Sequence, residues 1–270
     1  MTSNPLQTLA PSAFGPRDLL NELLNRQRAL TVFALLMLAA MAPTLVLAVV
    51  DDRTLREVSI WAKPLKFMAS TALFSLTTAW FMGLLPSGGR HSPARRAVVW
   101  TLIGSSLFEV VYISLQAALG APSHYHIADP FHAAMFVLMA VAAVLLTGTQ
   151  AVLAWQIYRH SPQRPLPVAT QAVLAGLVLT FVLSTVSGFM LGGHQPPAGS
   201  GLPIAGWHLG GGDLRPAHFL GVHAQQLIPL AGLLLQRHLP SFAAAGLWLL
   251  TSAYVAGWLL LARFGMLMAG

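Results

Sequence analysis

Separate runs of about 20 or more apolar residues constrain this chain more than any other feature, because seven of them fit a bilayer and little else. They lie at roughly 29–50, 59–85, 97–120, 131–158, 168–191, 215–237 and 241–264. At about 1.5 Å per residue each is long enough to cross about 30 Å of hydrocarbon. The charge content agrees: only 9% of residues are charged, against roughly 25% in soluble domains. The expected fold class is therefore an all-α membrane protein. It is a bundle of about seven transmembrane helices, with an amino-terminal cytoplasmic segment over 1–28 and a transmembrane domain over 29–270.

Residues 16–28 predict a short interfacial helix leading into the first span. Leu19, Leu20, Leu23 and Leu24 form one apolar face, and Arg17, Asp18, Glu22 and Arg26 lie elsewhere. The first fifteen residues are polar, with Pro5 and Pro11 and no convincing small-residue cleavage site after the first apolar run, so no cleaved signal peptide is expected. Trp61, Trp80, Trp100, Trp155 and Tyr158 mark span ends as interface aromatics. Asp129 before Pro130 reads as an N-cap and first helical residue opening the fourth span.

The chain holds no cysteine, which excludes disulfides, thiolate metal sites and a cysteine nucleophile. Its net charge of +7 reads in a membrane protein as Lys and Arg in cytoplasmic loops facing anionic lipid. The bilayer, rather than nucleic acid, is the expected partner. Arg17, Arg26, Arg28, Arg90, Arg95, Arg96, Arg159, Arg164 and Arg237 fall on one side of the alternating spans; Arg53, Arg56, Lys63, Lys66, Arg215 and Arg263 do not. The expected topology is thus amino terminus in the cytoplasm and carboxyl terminus outside.

The connection from Gly192 to Asp213, rich in Gly, Pro and Ser, lies on the expected outer side. A connection this long reads either as a lid or as a floppy external loop. Its Gly210–Gly212 run is no phosphate loop, since neither a preceding strand nor a following Lys-Ser/Thr is present. No internal repeat is evident.

Ionisable groups inside spans cost at least about 2.5–3.5 kcal/mol each, so each needs a partner, a wet cavity or a function. Span two carries Lys63, Lys66, Ser70 and Thr77 on one face. Lys63 is shallow enough to snorkel to the interface; Lys66 either snorkels or joins Lys63 in holding an anionic group. Span three carries Ser105, Glu109, Tyr112 and Gln116 on one face, with Glu109 near mid-bilayer. That carboxyl is either a packing ion pair with Lys66 or a proton carrier. Between spans three and four, His124 and His126 are expected in solvent, with His132 directed into the bundle.

Span six presents Arg215, His218 and Gln225 on one face, with His223 turned away by about 140°. That five-residue spacing is not the i, i+4 arrangement of a zinc helix. A helix polar over so wide an arc is expected at the bundle centre, while spans one and seven, nearly free of buried polar groups, are expected at its edge. Thr180, Ser184, Ser187 and Gly188 of span five read as a small-residue packing seam, with a site lining as the alternative.

Lys66, Glu109, His132, His218 and His223 thus converge on the outer half of the bilayer, predicting a polar cavity there. The segments Trp61–Phe67 (WAKPLKF), Phe108–His126 (FEVVYISLQAALGAPSHYH) and Gly212–Leu230 (GDLRPAHFLGVHAQQLIPL) together resemble a family of bacterial multispanning membrane proteins. The resemblance implies a bacterial inner-membrane location and carries no activity or site residue.

Three functions stay open on this reading. In the first, Lys66, Arg215 and Gln225 help bind or transport a small anionic or protonatable solute, with Glu109 and His223 as a proton relay. The second is a b-type haem oxidoreductase with His132 pairing His218 or His223. In the third, His132, His218, His223 and Glu109 surround a divalent metal in an intramembrane enzyme. A small-molecule ligand is expected, and an oligomer is compatible with the sequence.

Overall fold

The computed structural model describes residues 15–86, 92–199, 201–203 and 205–267. Residues 1–14 of the amino-terminal segment and Arg90, used above for orientation, lie outside the described residues. The chain is all-helical apart from one minimal hairpin. Its helices are α1 (Pro16–Val50), α2 (Ala62–Met82), α3 (Pro93–Ala118), α4 (Pro130–His160), α5 (Val168–Gly193), α6 (Arg215–His238) and α7 (Ala243–Leu267).

Six of them, all but α2, are long and apolar enough to cross a membrane. Large apolar side chains such as Leu36, Val46, Val137, Leu249 and Leu260 stand exposed along them. A soluble protein does not leave that much contiguous apolar surface in water, so this is a membrane protein. Helix α2 falls short because Lys63, Lys66 and the hydroxyls of Ser70, Thr71, Ser75, Thr77 and Thr78 dilute it. It nonetheless packs within the bundle: Met68 and Ala72 join Phe33, Ala34 and Met37 of α1 and Val110 of α3 in one buried cluster.

Helix α1 has 35 residues, about 52 Å at full helical rise, well beyond a hydrocarbon core. Its backbone breaks at Gln27 (φ −154°, ψ 93°), which separates the 16–26 segment from the span proper. Just before the break, the Arg26 guanidinium lies 3.8 Å over the Trp80 ring and donates to the Trp80 carbonyl (2.9 Å) and to Glu22 (2.7 Å).

Helices α5 and α6 make the closest seam, and the cause is missing side chains. A Cβ on Gly221 would lie 2.7 Å from the Ser184 amide nitrogen, and one on Gly176 would lie 3.0 Å from the Ala224 carbonyl. Thr180 Oγ1 accepts from the Gln225 amide (2.8 Å) across the same seam. Pro229 sits inside α6 one turn later.

Three connections gather at one end of the bundle, here called the long-loop end: 51–61, 119–129 and 194–214. Arg53 donates to the Ala118 carbonyl (3.0 Å), Arg56 to the Pro196 carbonyl (2.6 Å), and the Tyr125 hydroxyl to the Leu191 carbonyl (2.5 Å). The first connection contains the hairpin, β1 (Thr54–Leu55) against β2 (Val58–Ser59), with Thr54 opposite Ser59 and Leu55 opposite Val58. The second helix therefore begins at Ala62, three residues later than the apolar run suggests. The hairpin's two turn residues, Arg56 and Glu57, adopt φ of 53° and 66°, and Tyr125 adopts 60°. These are the only non-glycine residues at positive φ among the described residues. Such strain persists where surroundings over-determine the backbone, and it collects near functional sites.

Candidate functional site

At the start of α2, the Lys63 ammonium points across to the 119–129 connection. It donates to Ser123 Oγ (2.8 Å) and lies 2.9 Å from His124 Nδ1. An ammonium can only donate, so Nδ1 is the acceptor and the neutral imidazole carries its proton on Nε2. Phe67 (6.3 Å between ring centres), Tyr125 (6.5 Å) and Phe136 (6.0 Å) surround the ring. Burial, then the charge of Lys63, holds His124 well below the usual histidine range. It is thus a half-buried neutral residue, not the solvated one the sequence suggested.

His218, near the start of α6, lies close enough to influence His124 electrostatically. Its Nδ1 lies 3.1 Å from Ser187 Oγ on α5. That hydroxyl already donates its one proton to the Leu183 carbonyl (2.6 Å), so it accepts from His218 Nδ1–H. On these tautomers His218 carries its proton on Nδ1 and His124 on Nε2, and each imidazole also meets a backbone group, that of Ser184 and of Ser123 respectively. Ser187 and Gly188, whose Cβ would approach His218 Cε1 to 3.7 Å, serve both as packing seam and as site lining.

Glu109 is buried (6% exposed) on the face of α3 that turns inward with Tyr112 and Gln116. The charge acting on it is Lys63, and no Glu109 ion pair closer than 4.0 Å forms among the described residues. The expected pairing with Lys66 does not occur. Lys66, one turn further along α2 and rotated away from α3, donates instead to the Ala205 carbonyl (3.1 Å) and faces Arg215 and Asp213.

Arg215 is likewise committed to the Gly-rich connection. It donates to Asp213 through Nε (2.8 Å) and Nη2 (2.6 Å), and to the Gly206 carbonyl (2.7 Å). Burial pushes the Asp213 carboxyl up, but Arg215 and the amides of His208 and Arg215 outweigh it and hold the group below the usual carboxylate range. His208 closes onto the Gly199 carbonyl (3.1 Å), and the Gly199 amide donates to the Arg56 carbonyl (3.0 Å). The 194–214 connection is therefore tied down from both sides rather than floppy.

His223 turns from His218 toward α2, as the five-residue spacing requires. Its Nδ1 donates to Gln226 Oε1 (3.3 Å), and Gln226 Nε2 reaches Thr77 Oγ1 (3.2 Å). Thr77 in turn donates to the Leu73 carbonyl (2.8 Å), so this branch ends on the backbone. Gln225 is fully buried (0% exposed) against α5, and neither side-chain atom has a partner. Unpartnered buried polar atoms recur on Ser75 of α2, Ser106 and Tyr112 of α3 and Gln150 of α4.

His132 does not enter the bundle and has no contact with His218 or His223 among the described residues. Being the third residue of α4, it folds back on the N-cap: its Nδ1 lies 2.5 Å from Asp129 Oδ2. Asp129 Oδ1 meanwhile accepts from the Phe131 and His132 amides (both 3.0 Å). The His132 ring stacks on His126 at 3.8 Å between centres. The recorded partners of His132 are thus Asp129 and His126, on the 119–129 connection, rather than a residue of α6.

No protein-family model, curated protein or solved structure matches this chain.

The convergent residues are thus Lys63, Glu109, Ser123, His124, Ser187 and His218, with His223 beside them. Sequence reading found Glu109, His218 and His223. It weighed Lys63 between snorkelling and holding an anionic group with Lys66, and it placed His124 in solvent because loop histidines usually face water. The signal for both was the aromatic setting of Phe67, Tyr125 and Phe136 around His124, visible only once the 119–129 connection is folded over the starts of α2 and α4.

Proposed function

We propose that this chain binds or transports a small anionic or protonatable solute through a polar site at the long-loop end of its bundle. Lys63 supplies the positive charge, and Glu109 is the proton carrier. The neutral His124 and His218 hold the solute. The single observation that carries this reading is Glu109, buried with Lys63 as its acting charge and with no direct ion pair. A buried carboxyl left unpaired is costly unless a proton or a solute completes it. The unpartnered amide of Gln225 and hydroxyls of Ser75, Ser106 and Tyr112 support a wet or solute-bearing interior.

Seven spans, counting α2, with the interfacial 16–26 helix before them, fit this reading. So does an inner-membrane setting with the amino terminus in the cytoplasm, since Arg26, Arg28, Arg95, Arg96, Arg159, Arg164 and Arg237 lie at the end opposite the long loops. The solute then enters from outside, past the tied 194–214 connection.

The test is flux in proteoliposomes loaded with a pH-sensitive dye and challenged with monocarboxylates and with inorganic phosphate. A solute-driven internal pH change lost in Glu109→Gln supports the reading; flux equal in wild type and variant contradicts it. An absorption spectrum of the same preparation covers the haem alternative. A Soret band that shifts on reduction and disappears in His218→Ala or His223→Ala would replace the transport reading with a haem protein.

A further inference from the structure

His132, which the structure places outside the bundle site, belongs to a second cluster. His126, Asp129 and His132 each offer one ligand atom, and these atoms lie within 4.8 Å of one another. All three residues are partly buried, yet the His132 and Asp129 side chains remain 24% and 44% exposed, so an ion can reach them. The two imidazoles stack with ring centres 3.8 Å apart and planes 27° off parallel. His126 Nδ1 is buried with no hydrogen-bond partner, an unmet need of the kind a ligand removes. Asp129 Oδ1 is held by two backbone amides, so its other oxygen, Oδ2, is already aimed at His132 before any ion arrives.

We propose that His126, Asp129 and His132 bind a divalent transition cation of the zinc class at the long-loop end, with one nitrogen from each imidazole and one carboxylate oxygen. Bond lengths of about 2.0–2.2 Å put the atoms of one tetrahedral shell about 3.3 Å apart, which small side-chain rotations reach from the present spacing. Two imidazoles and a carboxylate suit zinc and its neighbours and disfavour Mg²⁺ and Ca²⁺, which select oxygen. Three protein ligands leave a fourth position to water.

The amino terminus of α4 places partial positive charge beside the site, so the carboxylate charge is needed to hold a cation there. Asn also caps a helix well, and Asp129→Asn therefore separates capping from ligation. The same connection carries Ser123 and His124 against Lys63. A bound ion thus fixes the segment that walls the solute site, although its binding does not depend on that site's function.

The experiment uses tag-free, chelator-stripped full-length protein in nanodiscs, with equilibrium dialysis against ZnCl₂ and a tryptophan-fluorescence melt. One Zn²⁺ per chain and a raised Tm are expected, with no such rise from MgCl₂ or CaCl₂. His126→Ala, Asp129→Asn and His132→Ala each remove one of three ligands and weaken binding by at least about the 10–100-fold seen when only a supporting residue is lost. His238→Ala, exposed near the opposite end, leaves it unchanged, and metal-free Asp129→Asn melts like the wild type. Absence of stoichiometric Zn²⁺ binding, or unchanged affinity in any of the three variants, overturns the proposal.

Discussion

Replacing one glycine by alanine should change stability in opposite directions at two places, and the structure gives both signs. At Gly221 the added methyl meets the Ser184 nitrogen at 2.7 Å, the Leu183 carbonyl carbon at 2.8 Å and the Ser184 Cα at 2.9 Å. All three are backbone atoms of α5, so none can rotate away. Ordinary contact begins near 3.4 Å, and the helices must part locally by roughly 0.7 Å. Overpacking of this kind costs about 1–3 kcal/mol, and the helix-propensity gain of about 0.5–1 kcal/mol leaves a net loss of about 1–2 kcal/mol. At Gly104, in the middle of α3, nothing lies within 4 Å of the new methyl. There only the propensity gain of about 0.5–1 kcal/mol remains. The assay is reversible unfolding in mixed micelles, read by tryptophan fluorescence. His218 lies one turn before Gly221, so Gly221→Ala should also weaken its bond to Ser187. Equal signs at the two positions, or a Gly221→Ala protein as stable as Gly104→Ala, would refute the close α5–α6 seam.

Two other outcomes follow from the site. Arg215→Ala removes the charged donor from buried Asp213 and from the Gly206 carbonyl; losing such charge-assisted bonds costs about 1.5–3 kcal/mol, seen as faster amide exchange across 194–214. Exchange unchanged from wild type would mean the connection is held elsewhere. His124 is kept neutral well below its usual 6.5, so the unfolded chain takes up a proton below that pH while the folded chain does not. Stability is therefore full above pH 6.5 and falls as pH drops below it; His124→Gln should flatten that fall, and equal slopes in the two melts would contradict the half-buried neutral ring.

Much of the fold was legible in the sequence because apolar run length is a one-dimensional signal. The capping of α4 by Asp129 was legible for the same reason: it depends on adjacent residues. Glu109 and the two histidines of α6 stood out because a bilayer makes any polar group conspicuous. What stayed hidden was direction. Lys63 and Lys66 lie on one face of α2, yet a 60° difference and one turn send the first to His124 and the second to Ala205. His132 looked inward from its place in an apolar run, but its nearest carboxylate was the cap of its own helix. The β1–β2 hairpin was hidden because its turn is Arg56–Glu57, and neither residue announces a positive φ.

The claim at the centre of this account is that the Lys63–His124–His218 region opens to the outside. The chain has no cysteine, so Ser187→Cys introduces one thiol, nearly isosteric with the hydroxyl beside His218. Its modification by a membrane-impermeant methanethiosulfonate, applied from the outside of sealed cells, is the decisive measurement. The account predicts labelling of Ser187→Cys from outside, with exposed Ile127→Cys as the positive control and lipid-facing Leu260→Cys unlabelled. A Ser187→Cys protein that stays unmodified while Ile127→Cys reacts, or that reacts only from the cytoplasmic side, would contradict it.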